Sequence, residues 1–207
     1  MMAEIDLYVD PVCPFAWVTA RWLLDTARGE HAVAVKQMSL AVLNDGRAVD
    51  AGHEPMISRS RRFGRVFAAV EQRHGPSGFV SLYLALGPRL HPRTPETDDD
   101  AAAAAALAEA GLESTLLAAL DDASFDAPVA DAHQASQQAL GGRGGSPIIA
   151  IDGQGFGGPV LTAPPAPHRA TALLRAVIDA ATTPEFAALQ RPYQGPPAFT
   201  TGERTVH

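Results

Sequence analysis

Only one cysteine, Cys13, occurs in the 207-residue chain, so no internal disulfide can form and any thiol chemistry rests on a single sulfur. Lysine is almost absent as well: Lys36 is the only one, beside fifteen arginines, and the formal net charge is −7. That balance supplies no broad phosphate-neutralising surface and argues against a nucleic-acid partner. No apolar run is long enough to cross a bilayer. The start, MMAEIDLYVD, has no basic segment ahead of an apolar one, so no leader is expected and the cytoplasm is the default location. Seven histidines show no ligand spacing such as H-x-x-x-H, and no metal is expected. What remains is 46% hydrophobic and 19% charged, the composition of one globular domain with room for an insertion.

Ile5 to Asp10 alternates apolar with acidic residues, the period of a strand, with Asp6 and Asp10 on the polar side. From Cys13 to about Arg28 the period turns helical: Phe15, Val18 and Trp22 share one stripe, Ala16, Ala20, Leu23 and Ala27 another, which marks a buried central helix. Residues 31–40 read as a second strand, and strand–helix–strand favours a parallel βαβ unit. From about Asn44 to Leu140 the chain is helical. Helices are expected over SRSRRFGRVFAAVEQRHG, FVSLYLAL, TDDDAAAAAALAEAG, LESTLLAALDD and DAPVADAHQASQQAL. Thr97 is the expected cap of the third, with Asp98 to Asp100 in its positive first turn and Gly111 as its stop. Then GGRGG leads through Ser146-Pro147 into IIAI, an Asp152-Gly153 turn and GFGGPV, a hairpin pattern. HRATALLRAVIDAA closes the chain as a helix, followed by a short helix around Pro184 to Leu189 and a proline-rich tail. The order βαβ, helical block, ββα is the thioredoxin arrangement with a helical insertion. The expected boundaries are 1–43 and 143–207 for the α/β part and 44–142 for the insertion, with 191–207 partly loose.

The chemistry concentrates at "DPVCPFAW". A strand broken by Pro11 and a helix opened by Pro14 put Cys13 at a helix N-terminus, where unpaired N–H groups stabilise a thiolate. An accessible thiol with a depressed pKa is therefore expected, against the alternative of a buried structural cysteine. A proline opening a strand after glycines is where thioredoxin folds carry a cis bond opposite the cysteine. Ser146–Pro147 is expected cis and facing Cys13; a trans proline at an edge strand is the alternative. Phe15 and Trp17 flank the sulfur as stacking surfaces for a flat substrate, although Trp17 equally suits the core. Met38, Ser39 and Asn44 follow the second strand, with Asn44 serving either a pocket or a turn. The arginines of SRSRRFGR face solvent or hold an anion.

DPVCPFAWVTARWLL, MSLAVLN, GGSP with its following strand, and GFGGPVL together resemble the actinobacterial mycothiol-dependent nitroreductase family, within the DsbA-like thioredoxin-fold oxidoreductases. The arginine-for-lysine bias fits a GC-rich actinobacterial genome. The resemblance implies a cytoplasmic, thiol-dependent oxidoreductase that draws electrons from mycothiol or another low-molecular-weight thiol, with no metal. It implies Cys13 as nucleophile, Pro14, Ser146 and Pro147 as thiol-positioning residues, and Phe15, Trp17, Met38 and Asn44 as substrate-binding residues. Its partners are a small thiol and a disulfide or small electrophile such as a nitro compound, with monomer and homodimer both open. The family motif Cys-Pro-Trp-Cys reads Cys13-Pro14-Phe15-Ala16 here, so the resolving sulfur is missing. A monothiol cycle survives that loss. So does the logic of kappa-class thiol transferases and chromene-carboxylate isomerases, which resemble this fold, or that of a non-catalytic ligand-binding relative.

Overall fold

The computed structural model describes residues 2–91 and 98–200. Glu4–Val9 forms β1, Pro14–Thr26 α1 and Ala32–Gln37 β2, and the two strands pair in parallel with Ile5 opposite Val33 and Leu7 opposite Val35. Ile148–Ile151 is β3, antiparallel to β1 with Leu7 opposite Ile149, and Gln154–Gly157 is β4, giving the order β2-β1-β3-β4. β3 is buried at all four positions, as its unbroken apolar run requires in the middle of a covered sheet. The alternation along β1 sends Leu7 and Val9 to a core shared with Leu23 of α1. Tyr8 goes to the other face, with Met38, Ile148 and Ala150 under Ala139 and Leu140.

Between β2 and β3 the described chain is helical: α2, Leu40–Leu43; α3, Glu54–Leu90; α4, Asp99–Glu109; 3₁₀ turns over Ser114–Asp121 and Ala123–Phe125; and α5, Asp126–Leu140. The two helices expected over residues 58–86 are both present within α3, meeting at a kink where Gly75 takes the non-helical φ 68° and ψ −166°. Pro76, which needs no intrahelical N–H partner, opens the second half. α4 is capped by Asp98, whose side chain accepts from the N–H groups of Asp100 and Ala101, one residue later than expected; Thr97 lies outside the described residues. Where an α-helix is expected over residues 112–122, Ser114–Asp121 forms a 3₁₀ segment, lying between Gly111 and the Asp122 cap.

Pro167–Ala181 forms α6, which packs on α1. The helix expected around residues 184–189 is absent. Phe186 N–H closes a turn onto the Thr183 carbonyl, and Leu189 is 90% exposed, so a helix there would have no apolar face to bury. Residues 191–200 run as irregular chain along the α1 side: Tyr193 meets Phe15 edge-on, Ala198 N–H donates to the Thr162 carbonyl, and Phe199 stacks on His91. No helix among the described residues is long and apolar enough to cross a membrane.

Candidate functional site around the lone thiol

β1 ends because Asp10 bonds its own turn. Its Oδ1 accepts Val12 N–H at 2.9 Å and its carbonyl accepts Cys13 N–H at 3.0 Å. Cys13 therefore sits as the N-cap of α1 in an extended conformation (φ −76°, ψ 115°), with Pro14 at the first helical position. The Ser146–Pro147 bond is cis, and Cys13 Sγ donates to the Ser146 carbonyl at 3.4 Å across 133 residues of sequence. The Ser146 hydroxyl accepts Asp10 N–H at 2.9 Å, so one residue holds the sulfur and the loop that carries it. A second cis bond precedes Pro159, whose carbonyl accepts Thr19 Oγ1 of α1 at 2.8 Å.

The accessible, acidified thiol expected from sequence is not what the fold makes. Cys13 is 5% exposed, and burial pushes its pKa up to about 11. The N–H groups of Ala16 and Phe15 and the contact with Ser146 pull the other way, while the Asp10 carboxylate pushes further up. The helix terminus is present, but loss of water outweighs it.

Of the expected substrate-binding residues, Phe15 stays at the surface of the site, half-buried beside Tyr193. Trp17 is core: it meets Tyr83 edge-on at 5.5 Å and presses on Gly87, where an added Cβ would lie 2.2 Å from its ring. Met38 is fully buried in the Tyr8 cluster and presents no surface to a ligand. The Asn44 side chain donates to the Leu40 carbonyl at 2.8 Å, closing α2 as a turn residue does. Ala16 is fully buried. The arginines of α3 are not an anion site: Arg59 pairs with Asp99, Arg62 with Asp100 and Asp121, and Arg65 with Asp126, tying α3 to the rest of the insertion. Among the described residues no cluster of three His, Cys, Asp or Glu side chains could hold a metal.

Several groups beneath the thiol were invisible from sequence. Asp10 ends the alternating strand and reads as a solvent-side residue, yet it is 0% exposed. Its Oδ2 accepts Leu40 N–H at 2.6 Å and the Ser60 hydroxyl at 2.5 Å. Burial pushes its pKa up against those donors. The Tyr83 hydroxyl is buried with no hydrogen-bond partner among the described residues, and burial, then Cys13, then Asp10, pushes its pKa well up. His91, at the end of α3, lies between the rings of Trp17 and Phe199 and is tied to the Pro11 carbonyl. Burial drives its pKa down to about 4, so it is neutral. A cavity of about 500 Å³ lies along α1 between Trp17, Arg21, Trp22, Pro165, Thr171 and Phe199, beside the thiol loop but not lined by Cys13.

Residues 12–191 match the family described as Rv2466c-like, mycothiol-dependent nitroreductase Rv2466c. An uncharacterized protein of Mycobacterium tuberculosis, Rv2286c, is 32% identical over 197 residues, covering 92% of this chain and 83% of that protein. Among solved structures, SCO1869 of Streptomyces coelicolor, described as a probable DsbA oxidoreductase, aligns with TM-score 0.58 at 17% identity over 92% of this chain and 94% of its own. A 2-hydroxychromene-2-carboxylate isomerase aligns with TM-score 0.52 at 13% identity over 84% and 94%. Likeness at those identities establishes the fold: DsbA-like α/β with an inserted helical region.

Proposed function

The chain belongs to the Rv2466c-like family of mycothiol-dependent nitroreductases, and from that premise we propose that it is a monothiol, mycothiol-dependent oxidoreductase acting through Cys13. The observation that carries the reading is the sulfur's place. It caps α1, has the Phe15 and Ala16 N–H groups beside it, and faces the Ser146 carbonyl next to a cis proline. Residues 1–43 and 143–207 are the thioredoxin-like part of this proposal and 44–142 the insertion. Pro14, Ser146 and Pro147 position the thiol partner, and Phe15 is the surface left for the electrophile.

The electrons balance with one protein sulfur. Cys13 and one mycothiol thiol together give up two protons and two electrons and become a mixed disulfide, while the acceptor, a disulfide or a nitro group, takes them up. A second mycothiol then attacks that mixed disulfide, returning the Cys13 thiol and leaving mycothiol disulfide. A pool of reduced small thiol is a cytoplasmic condition, which supports the cytoplasm as the compartment of the proposed activity.

A second reading is favoured by one observation: the thiol is buried, protonated and donating a hydrogen bond. Such a group can orient a bound thiol cofactor for transfer or isomerisation without changing oxidation state. Intact mass after incubation with mycothiol disulfide separates the two. The redox reading expects a single mycothiol adduct, absent in Cys13→Ser and removed by free mycothiol. No adduct, together with turnover that survives in Cys13→Ser, would replace it with the transferase or isomerase.

A further inference from the structure

Every hydrogen-bonding atom of Asp10 is committed, and the commitments join four parts of the fold. Its N–H goes to Ser146 Oγ and its carbonyl takes Cys13 N–H, so the residue links the thiol to the loop that faces the thiol. Its carboxylate takes Val12 N–H from the thiol loop, Leu40 N–H from the start of α2, and the Ser60 hydroxyl from α3. Ser60 Oγ accepts Ala41 N–H at 2.9 Å, so its own proton is free to point at Asp10. Three donors converge on two oxygens, an arrangement matched to a carboxylate and not to a carboxylic acid.

We propose that Asp10 is a positioning residue for Cys13: it clamps the thiol loop onto the helical insertion and, as an anion, opposes a second negative charge on the sulfur. This rests on Cys13 being the reacting group of the proposed function. The other titratable groups around the thiol do not duplicate the role. Tyr83 reaches it from α3 with an uncharged phenol, and His91, bonded to the Pro11 carbonyl, is neutral. On the far side, His133 of α5 sits 3.5 Å from Ser39 N–H, and burial lowers its pKa, so it too is uncharged at neutral pH. Among the described residues, Asp10 is the group that acts on the sulfur through charge. Fixing the loop and restraining the thiol are thus the work of one side chain.

The test follows the rate of Cys13 alkylation by iodoacetamide against pH, read by intact mass, in the wild type, Asp10→Asn and Ser60→Ala. Asp10→Asn removes the charge and is expected to lower the midpoint by about one pH unit. Ser60→Ala loosens the clamp with the charge kept, so its urea midpoint falls while its alkylation midpoint stays. An unchanged midpoint in Asp10→Asn overturns the proposal. So does a fall in Ser60→Ala as large as in Asp10→Asn, because exposure and not charge would then be the cause. Should Asp10→Asn fail to fold, ¹³C-aspartate NMR of the wild type decides: an Asp10 carboxyl protonated at pH 7.5 overturns the proposal, an ionised one upholds it. Alkylation needs no mycothiol, so these outcomes stand apart from success or failure of the redox reading.

Discussion

The carboxylate under the thiol and the carboxylates along the insertion are housed by opposite means. Asp10 is wholly buried and held by two amides and a hydroxyl, with no formal positive charge in its coordination among the described residues. Asp121 and Asp126 are 73% and 45% exposed, and each meets a guanidinium, Arg62 or Arg65. Burial sends the Asp10 pKa up, whereas Arg62 and Arg65 bring Asp121 and Asp126 below the ordinary 3.8. The linkage signs therefore differ. A raised acid contributes stability that is complete below its ordinary pKa and lost as pH rises through the folded value. The lowered acids contribute stability present above 3.8 and lost as pH falls through theirs. Neutral donors suit a site where the charge must act on a neighbour, since a salt bridge would cancel the field that reaches the sulfur. Arginines suit helices that only need to be held together.

The comparison breaks first, if it is wrong, in the energetics of deletion. Asp10→Ala strands three buried donors and is expected to cost about 3 kcal/mol, against less than about 1 kcal/mol for Asp126→Ala at the surface. Urea midpoints measure both, and equal losses would erase the distinction. Next in size is a packing lesion that touches neither set. Gly87→Ala would drive a methyl into the Trp17 ring and is expected to cost about 1–3 kcal/mol, with no dependence on salt. Measured at low and at 1 M salt, it supplies the yardstick for the electrostatic variants.

Smaller still is the coupling between Arg65 and Asp126, a two-bond pair at 2.7 and 2.9 Å. A double-mutant cycle should give about 1 kcal/mol or less and lose it in 1 M salt, while the Asp10–Ser60 cycle keeps its value. The smallest effect belongs to Glu113. Its own backbone N–H, then His74 and Arg73, bring its pKa down to about 2. The melting temperatures of wild type and Glu113→Gln should differ slightly at pH 6 and converge as pH falls toward 2. A gap that widens in acid would reverse the sign assigned to the surface set.

The strands were legible because Ile5, Leu7 and Val9 alternate and IIAI does not, the two patterns of half-shared and fully covered strands. The missing partner of Cys13 was legible in the same way, since Ala16 is a matter of spelling. The sulfur's environment was not. A helix N-terminus is a local feature, but the burial that overrides it comes from parts distant in sequence, and nothing near residue 13 announces Tyr83 of α3 or Ile149 of β3 in the same apolar cluster. Asp10 misled for a related reason: alternation assigns a face, and the face it assigned is covered by an insertion whose Ser60 lies 50 residues away. Met38 was drawn toward a pocket by its neighbours in sequence, while volume and apolarity had already suited it to the core, and Trp17 serves both the core and the wall of the cavity along α1.

The Ser146 carbonyl that receives the thiol proton lies 133 residues downstream of Cys13, and that separation has a meaning in time. A ribosome adding about 5–20 residues per second makes residue 13 roughly 7 to 27 seconds before residue 146. During that interval the nascent chain has no β3 to shelter its sulfur, which titrates as an ordinary free thiol near 8.5. Each molecule is thus most open to oxidative capture once, at birth. Completion of the hairpin then closes the interval, and a cell short of reducing thiol would leave its mark on newly made copies before it touched the folded ones.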